Sequence, residues 1–187
     1  FAELNGGFSM AVWDRRKERL VLARDRVGVK PLYYFFKNGE FAFSSELKAL
    51  LCHPSIERRL SLRALSKYLA YEYVPTPESI IEGICKLPAA SFLVLEKGEI
   101  RIRTYHQFRF STLPEGSRSE ASLVEELRTL LNEALKRRMR GSGIPGFFLS
   151  GGIDSSAMVA LACRFVDPSK IKTFSIGFHE KSFDESS

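Results

Sequence analysis

The sequence has no long apolar run. Nothing in its 187 residues approaches the roughly 20 consecutive apolar side chains of a membrane-spanning helix, so no membrane partner is expected. Cysteine and histidine are scarce. Cys52, Cys85 and Cys163 lie far apart without a Cys-x-x-Cys pair, and neither they nor His53, His106 and His179 have metal-ligand spacing. Reduced thiols in a cytoplasmic protein are the simplest reading. Basic residues outnumber acidic ones by 28 to 22 but are scattered from Arg15 to Lys181 instead of forming one stripe, which argues against a nucleic-acid partner. Repeats and low-complexity tracts are also missing. With 44% hydrophobic and 27% charged residues, what remains is an ordinary globular chain, long enough for one large domain or two smaller or partial ones. It opens at Phe1 with neither an initiator methionine nor a signal-peptide pattern, and an internal piece of a longer protein is expected.

Three hairpins are predicted in the first part. Gly7 to Trp13 and Arg19 to Asp25 flank a polar turn, Leu32 to Phe36 and Phe41 to Ser44 flank Asn38-Gly39, and Ser91 to Glu96 and Glu99 to Arg103 flank Lys97-Gly98. Apolar side chains on both faces of the early strands predict a sheet covered on both sides. Ser61 is placed to cap a helix running to Tyr71, which Val74-Pro75-Thr76-Pro77 stops. Arg24, Asp25, Arg26 and Lys30 form a charged cluster expected to be a structural ion-pair network, and His53 before Pro54 is expected to stop a helix.

The Ser, Pro and Gly content of residues 111–119 predicts an exposed linker, giving domains over 1–110 and 120–187. Beyond it, Ser122-Leu123-Val124-Glu125 has capping-box spacing before an amphipathic helix that ends in Lys136-Arg137-Arg138, a cluster suited to the negative helix end. A strand at Phe147-Phe148-Leu149, a helix from Ser155 to Val166 and a strand at Thr173-Phe174-Ser175-Ile176 then make a βαβ unit of a parallel sheet.

The chemistry is concentrated where that first strand gives way to its helix, in Leu149-Ser150-Gly151-Gly152-Ile153-Asp154-Ser155-Ser156. Gly151 and Gly152 let the backbone turn sharply and bring N–H groups close to a ligand. Ser150, Ser155 and Ser156 add hydroxyls, and the helix N-terminus supplies free amides and a positive dipole end, a combination suited to phosphate. Asp154 would repel phosphate unless a cation lay between them, which points to Mg²⁺. The segment is not a Walker A loop, because no Gly-Lys-Ser/Thr follows, and it lacks the Gly-x-Ser-x-Gly of a nucleophile elbow. His179, Asp184 and Glu185 follow the second strand at the end where open α/β sheets bind ligands, and a site role for Asp184 is an expectation of that placement.

Ser150-Gly151-Gly152-Ile153-Asp154-Ser155-Ser156 resembles the PP-loop of the ATP pyrophosphatase superfamily. The segments Gly7 to Asp14, Arg24 to Tyr34 and Phe43 to Leu50 extend the resemblance, in order, to the glutamine-hydrolysing asparagine synthetase family. The fold this implies is α/β: the later half of an α/β/β/α amidotransferase sandwich, followed by the first βαβ unit of a parallel-sheet PP-loop domain. The implied reaction converts aspartate to asparagine through an acyl-adenylate, with ATP cleaved to AMP and pyrophosphate and ammonia drawn from glutamine. The resemblance further implies that Ser150, Gly151, Gly152, Ser155 and Ser156 cradle pyrophosphate, that Phe148, Leu149, Ile176 and Gly177 meet the rest of ATP, and that Asp154 helps hold Mg²⁺. The family's amino-terminal cysteine nucleophile would precede Phe1 and its later acidic motif would follow Ser187, so this piece by itself is expected to be inactive. A homodimer is compatible with the resemblance. Two other readings stay open: a related adenylating enzyme with another acceptor, similar to β-lactam synthetase, and a non-catalytic nucleotide-binding protein.

Overall fold

A computed structural model describes residues 1–110, 112, 118–141, 143 and 146–177. They fold as two compact units, 1–110 and 111–187.

The first unit is built on two antiparallel sheets. The strands β1 (Ser9–Asp14), β2 (Arg19–Arg24), β6 (Ser91–Glu96) and β7 (Glu99–Thr104) lie in the order β1-β2-β6-β7, and β4 (Glu40–Ser44), β3 (Tyr33–Lys37) and β5 (Ile84–Lys86) form a second sheet in the order β4-β3-β5. All three predicted hairpins are present. Asn38 and Gly39 have φ of 54° and 79°, and Lys97 and Gly98 have φ of 52° and 75°, the double positive values that a two-residue turn needs to match strand twist. At the first hairpin, Asp14 Oδ1 accepts the amides of Arg16 and Lys17 at 3.1 and 3.2 Å, turning the chain locally.

Directly opposed residues share a face, so Leu22 with Leu93 and Leu20 with Leu95 put one face of the first sheet to use. Leu22 and Leu93 pack with Tyr34 of the second sheet and with Leu32 and Leu87. On its other face the second sheet buries Phe35 and Ile84 against Leu50 of helix α1 (Leu47–Leu50), Ile56 and Ile81. Coverage on both sides thus holds for the second sheet only. The edge strands of the first sheet are open to solvent over consecutive residues, Ala11 to Trp13 in β1 and Arg101 to Thr104 in β7, with Trp13 57% exposed.

Helix α2 (Leu62–Tyr71) starts as its capping residue predicts, with Ser61 Oγ accepting the Ala64 amide at 3.2 Å. Leu62 and Leu69, apolar residues at helical spacing, are 79% and 75% exposed, and Ala64 is the residue of that helix that is buried. His53 does follow α1, its amide bonding the Leu50 carbonyl at 2.9 Å.

The charged cluster is not an ion-pair network. Asp25 is fully buried and accepts backbone amides from Phe8, Val27, Val29 and Lys30, while Arg24 donates to the carbonyls of Gly28, Lys30 and Leu87. A buried carboxylate is satisfied by N–H donors as well as by a cation, and the loop after β2 supplies three of them at short range while Phe8, 17 residues away, supplies the fourth. Burial, the largest influence, pushes the Asp25 carboxyl upward, but its four backbone amides together outweigh burial and hold it below the ordinary value.

In the second unit α3 spans Glu120–Arg138. Its cap is Ser119, whose Oγ accepts the Ser122 amide at 3.3 Å, instead of the expected capping box at Ser122 to Glu125. Both serines precede an apolar run, and the helix takes the earlier start. Lys136 lies over the Phe165 ring at 4.9 Å and Arg137 pairs with Glu133 at 3.4 Å, so these two side chains of the basic end have partners beyond the helix dipole. Strand β8 (Gly146–Phe148), α4 (Ile153–Ala162), a 3-10 turn at Pro168–Lys170 and β9 (Lys172–Phe174) complete the unit. β8 and β9 pair in parallel, with Phe148 opposite Phe174. Gly146 has a packing reason: a Cβ there would sit 2.6 Å from Cε2 of Phe174.

Candidate functional site

The parallel pair ends by opening into the loop that the sequence singles out. The Leu149 amide extends the ladder by donating to the Phe174 carbonyl at 2.9 Å. Gly151 then takes φ of +87°, a left-handed value that costs glycine little, and Gly152 returns to extended backbone as the N-cap of α4. This reversal converts strand to helix in the span of Leu149 to Gly152.

The amides of Gly152, Ile153, Asp154 and Ser155 belong to the first turn of α4, which has no carbonyl four residues back to receive them. The first bond of the regular helical pattern is from Ser156 N to Gly152 O at 3.1 Å. No side chain caps this end. Free amides and the positive dipole end therefore face an exposed loop, an arrangement suited to a bound anion.

Two predicted site serines are brought together. The Ser155 hydroxyl donates to the Gly152 carbonyl at 3.1 Å and accepts the Ser150 amide at 3.3 Å, with the Ser150 hydroxyl at 3.2 Å. These bonds span the loop as a chord and hold it compact. Ser156 and Asp154 are exposed, and Asp154 forms no ion pair among the described residues. Phe148 is 79% exposed, Ile176 and Gly177 are exposed, and Leu149 is half-buried. The ten predicted ATP-site residues thus lie on two neighbouring segments at the same end of the β8/β9 pair, 148–156 and 176–177.

As a Mg²⁺ site this arrangement supplies one protein carboxylate, and among the described residues no cluster of three or more His, Cys, Asp or Glu gathers around a metal position. Such a donor set fits a Mg²⁺ held by one carboxylate and substrate phosphates, and does not fit an all-protein cage. His179, Asp184 and Glu185 lie outside the described residues.

Sequence reasoning missed Ser175. Its hydroxyl donates to the Leu149 carbonyl at 2.7 Å, across 26 residues, joining the two segments of the candidate site. The available signal was a hydroxyl set between the apolar Phe174 and Ile176 at the end of a predicted strand.

Comparison with known proteins bears on both units. Residues 1–106 match the family model of the glutamine amidotransferase domain, and residues 126–187 match that of asparagine synthase. A putative glutamine-hydrolysing asparagine synthetase of Methanocaldococcus jannaschii is 39% identical over 187 residues, an overlap of 98% of this chain and 36% of that protein. Glutamine-hydrolysing asparagine synthetase 1 of Bacillus subtilis is 35% identical over 185 residues, covering 98% of this chain and 28% of the relative. The chain therefore spans about a third of the length of these curated relatives.

Proposed function

The chain belongs to the glutamine-hydrolysing asparagine synthetase family, a glutamine amidotransferase domain followed by an asparagine synthase segment, and from that premise we propose that its protein is an ATP-dependent ligase making asparagine from aspartate, with glutamine as nitrogen source. The observation that carries the reading is the loop from Ser150 to Ser156, with its left-handed Gly151 and the uncapped first turn of α4.

In this reading the amides of Gly152 to Ser155 receive the pyrophosphate part of ATP, and the hydroxyls of Ser150, Ser155 and Ser156 turn toward the same oxygens. The Phe148–Leu149 and Ile176–Gly177 segments receive the adenosine. An aspartate carboxylate oxygen bonds to the α-phosphorus as the bond to the bridging oxygen breaks, so pyrophosphate leaves and an acyl-adenylate forms. Ammonia then adds to the acyl carbon, AMP departs with the transferred oxygen, and a proton is lost. Donors fixed before the reaction favour charge that develops on the leaving pyrophosphate, because they need no reorganisation in the transition state. Mg²⁺ held by Asp154 would neutralise phosphate charge next to that carboxylate. The amidotransferase sandwich and PP-loop unit are the folds this reading assigns to the two units. Glutamine hydrolysis is assigned to none of Cys52, Cys85 or Cys163, which lie inside the chain.

The test is product formation by the full-length protein given ATP, Mg²⁺, aspartate and glutamine, with each omitted in turn. The proposal predicts AMP and pyrophosphate only when aspartate is present, and asparagine in matching amount. ATP cleavage indifferent to aspartate points to another acceptor, and no ATP cleavage by a folded protein points to a non-catalytic nucleotide binder.

A further inference from the structure

We propose that Ser175 is a positioning residue for the nucleotide: its side chain takes over a backbone bond and so keeps the Ile176 amide available to the base. The inference rests on the ATP-binding reading of this site and assigns a role to a residue outside the loop motif.

The ladder geometry carries it. In a parallel pair, a residue whose amide bonds one carbonyl of the neighbouring strand receives, on its own carbonyl, the amide two positions further along that strand. Leu149 N donates to Phe174 O at 2.9 Å, so the regular donor to Leu149 O is the Ile176 amide. The structure substitutes the Ser175 hydroxyl there, at 2.7 Å. Both backbone groups of Leu149 are therefore held immediately before the loop begins, while the Ile176 amide has no partner among the described residues. Ile176 is 68% exposed.

Two effects follow. The bond fixes the exit of β8, from which Ser150 and Gly151 make their turn. It also ends the pairing one residue early, so the two segments diverge with an N–H donor left on one of them. A free amide donor at this place suits a purine whose facing ring nitrogen is an acceptor. In a pose that sets N1 of the purine against this amide, adenine offers an acceptor whereas guanine carries a proton, so that pose favours ATP over GTP. Without the hydroxyl, the Leu149 carbonyl recaptures the Ile176 amide and the ladder closes over that donor.

The test compares Ser175→Val with Ser175→Thr in the full-length protein, since the two replacements have nearly the same shape and Thr alone retains the hydroxyl. Ser175→Ala serves as a second deletion of the hydroxyl. ATP binding, KM for ATP and for GTP, kcat of pyrophosphate release and thermal unfolding are measured for each. The proposal predicts that Val and Ala weaken ATP binding and raise KM for ATP about three- to tenfold, the range of one neutral hydrogen bond. It predicts a smaller preference for ATP over GTP, kcat and aspartate KM within about twofold of wild type, and Thr close to wild type. Unchanged ATP binding in Val and Ala overturns the proposal while leaving the ligase reading intact. Thr behaving like Val, or losses spread over all substrates together with lower thermal stability, also overturns it, by reducing Ser175 to a packing residue. A wild-type protein that binds no ATP removes the ligase reading, and the role of Ser175 with it.

Discussion

The Arg24 guanidinium donates to the carbonyl of Leu87, 63 residues further along the chain, at 2.7 Å. Arg24 ends β2 in one sheet, and Leu87 follows β5 in the other and is fully buried. The same guanidinium reaches the carbonyls of Lys30 and Gly28 at 2.8 Å each, and the Arg24 carbonyl accepts the Tyr105 hydroxyl at 2.8 Å. One side chain therefore pins the loop after β2 and the joint between the sheets.

Arg24→Ala is expected to lower the unfolding free energy by about 2–3 kcal/mol, because it strands carbonyls that a charged donor satisfied. Arg24→Lys should recover little of this, since an ammonium does not present the fork that meets three carbonyls at once. Urea unfolding of the full-length variants measures both. A lysine variant equal to wild type would contradict the assignment of the joint to hydrogen-bond geometry.

The neighbouring Asp25 gives a pH dependence of defined sign. Its carboxyl is held below its ordinary value of 3.8, so the stability it contributes is fully present above that value and is lost as pH falls from about 4 through the lower folded pKa. Asp25→Asn should be less stable at pH 7, because its amide N–H₂ meets backbone donors, and its stability should fall less between pH 5 and about pH 2.5. Parallel pH slopes for variant and wild type in denaturant titrations would show that the carboxylate is not responsible.

The two loop glycines should behave differently. Gly151 sits at φ of +87°, so Gly151→Ala carries backbone strain of about 1–2 kcal/mol and should distort the turn even before ligand binds. At Gly152 φ is −70° and a Cβ would meet only Ser150 Oγ, at 3.5 Å, so Gly152→Ala should fold normally. Thermal unfolding distinguishes them, and equal losses would mean that the left-handed turn is not what Gly151 supplies.

Local signals were the legible ones. Asn38-Gly39, Lys97-Gly98 and the Ser61 cap act over a few residues, and the structure reproduces each. The parallel pairing of β8 with β9 also followed from strand, turn and helix order. The exposure of Leu62 and Leu69 was not legible, because periodicity names an apolar stripe without naming its cover, and ion pairing of Asp25 was misjudged, because a charged cluster in sequence does not reveal four amides arranged around one carboxylate. Ser175 was missed for the same reason, since its bond partner lies 26 residues away.

Asp154→Ala in the full-length protein should reduce pyrophosphate release by about 10²-fold or more while glutamine hydrolysis stays near wild type, because a carboxylate that helps hold Mg²⁺ acts on the nucleotide step alone. Assays of both activities on one preparation check this. Unchanged pyrophosphate release would remove Asp154 from the site.

The transfer of oxygen tests the central claim most directly. With aspartate labelled by ¹⁸O in its side-chain carboxylate, an acyl-adenylate route delivers one labelled oxygen to AMP, because the bond formed at the α-phosphorus persists when ammonia displaces AMP from the acyl carbon. Mass spectrometry of the products from the full-length protein should find that single label in AMP and none in pyrophosphate. Label in pyrophosphate, or asparagine formed with unlabelled AMP, would contradict the account.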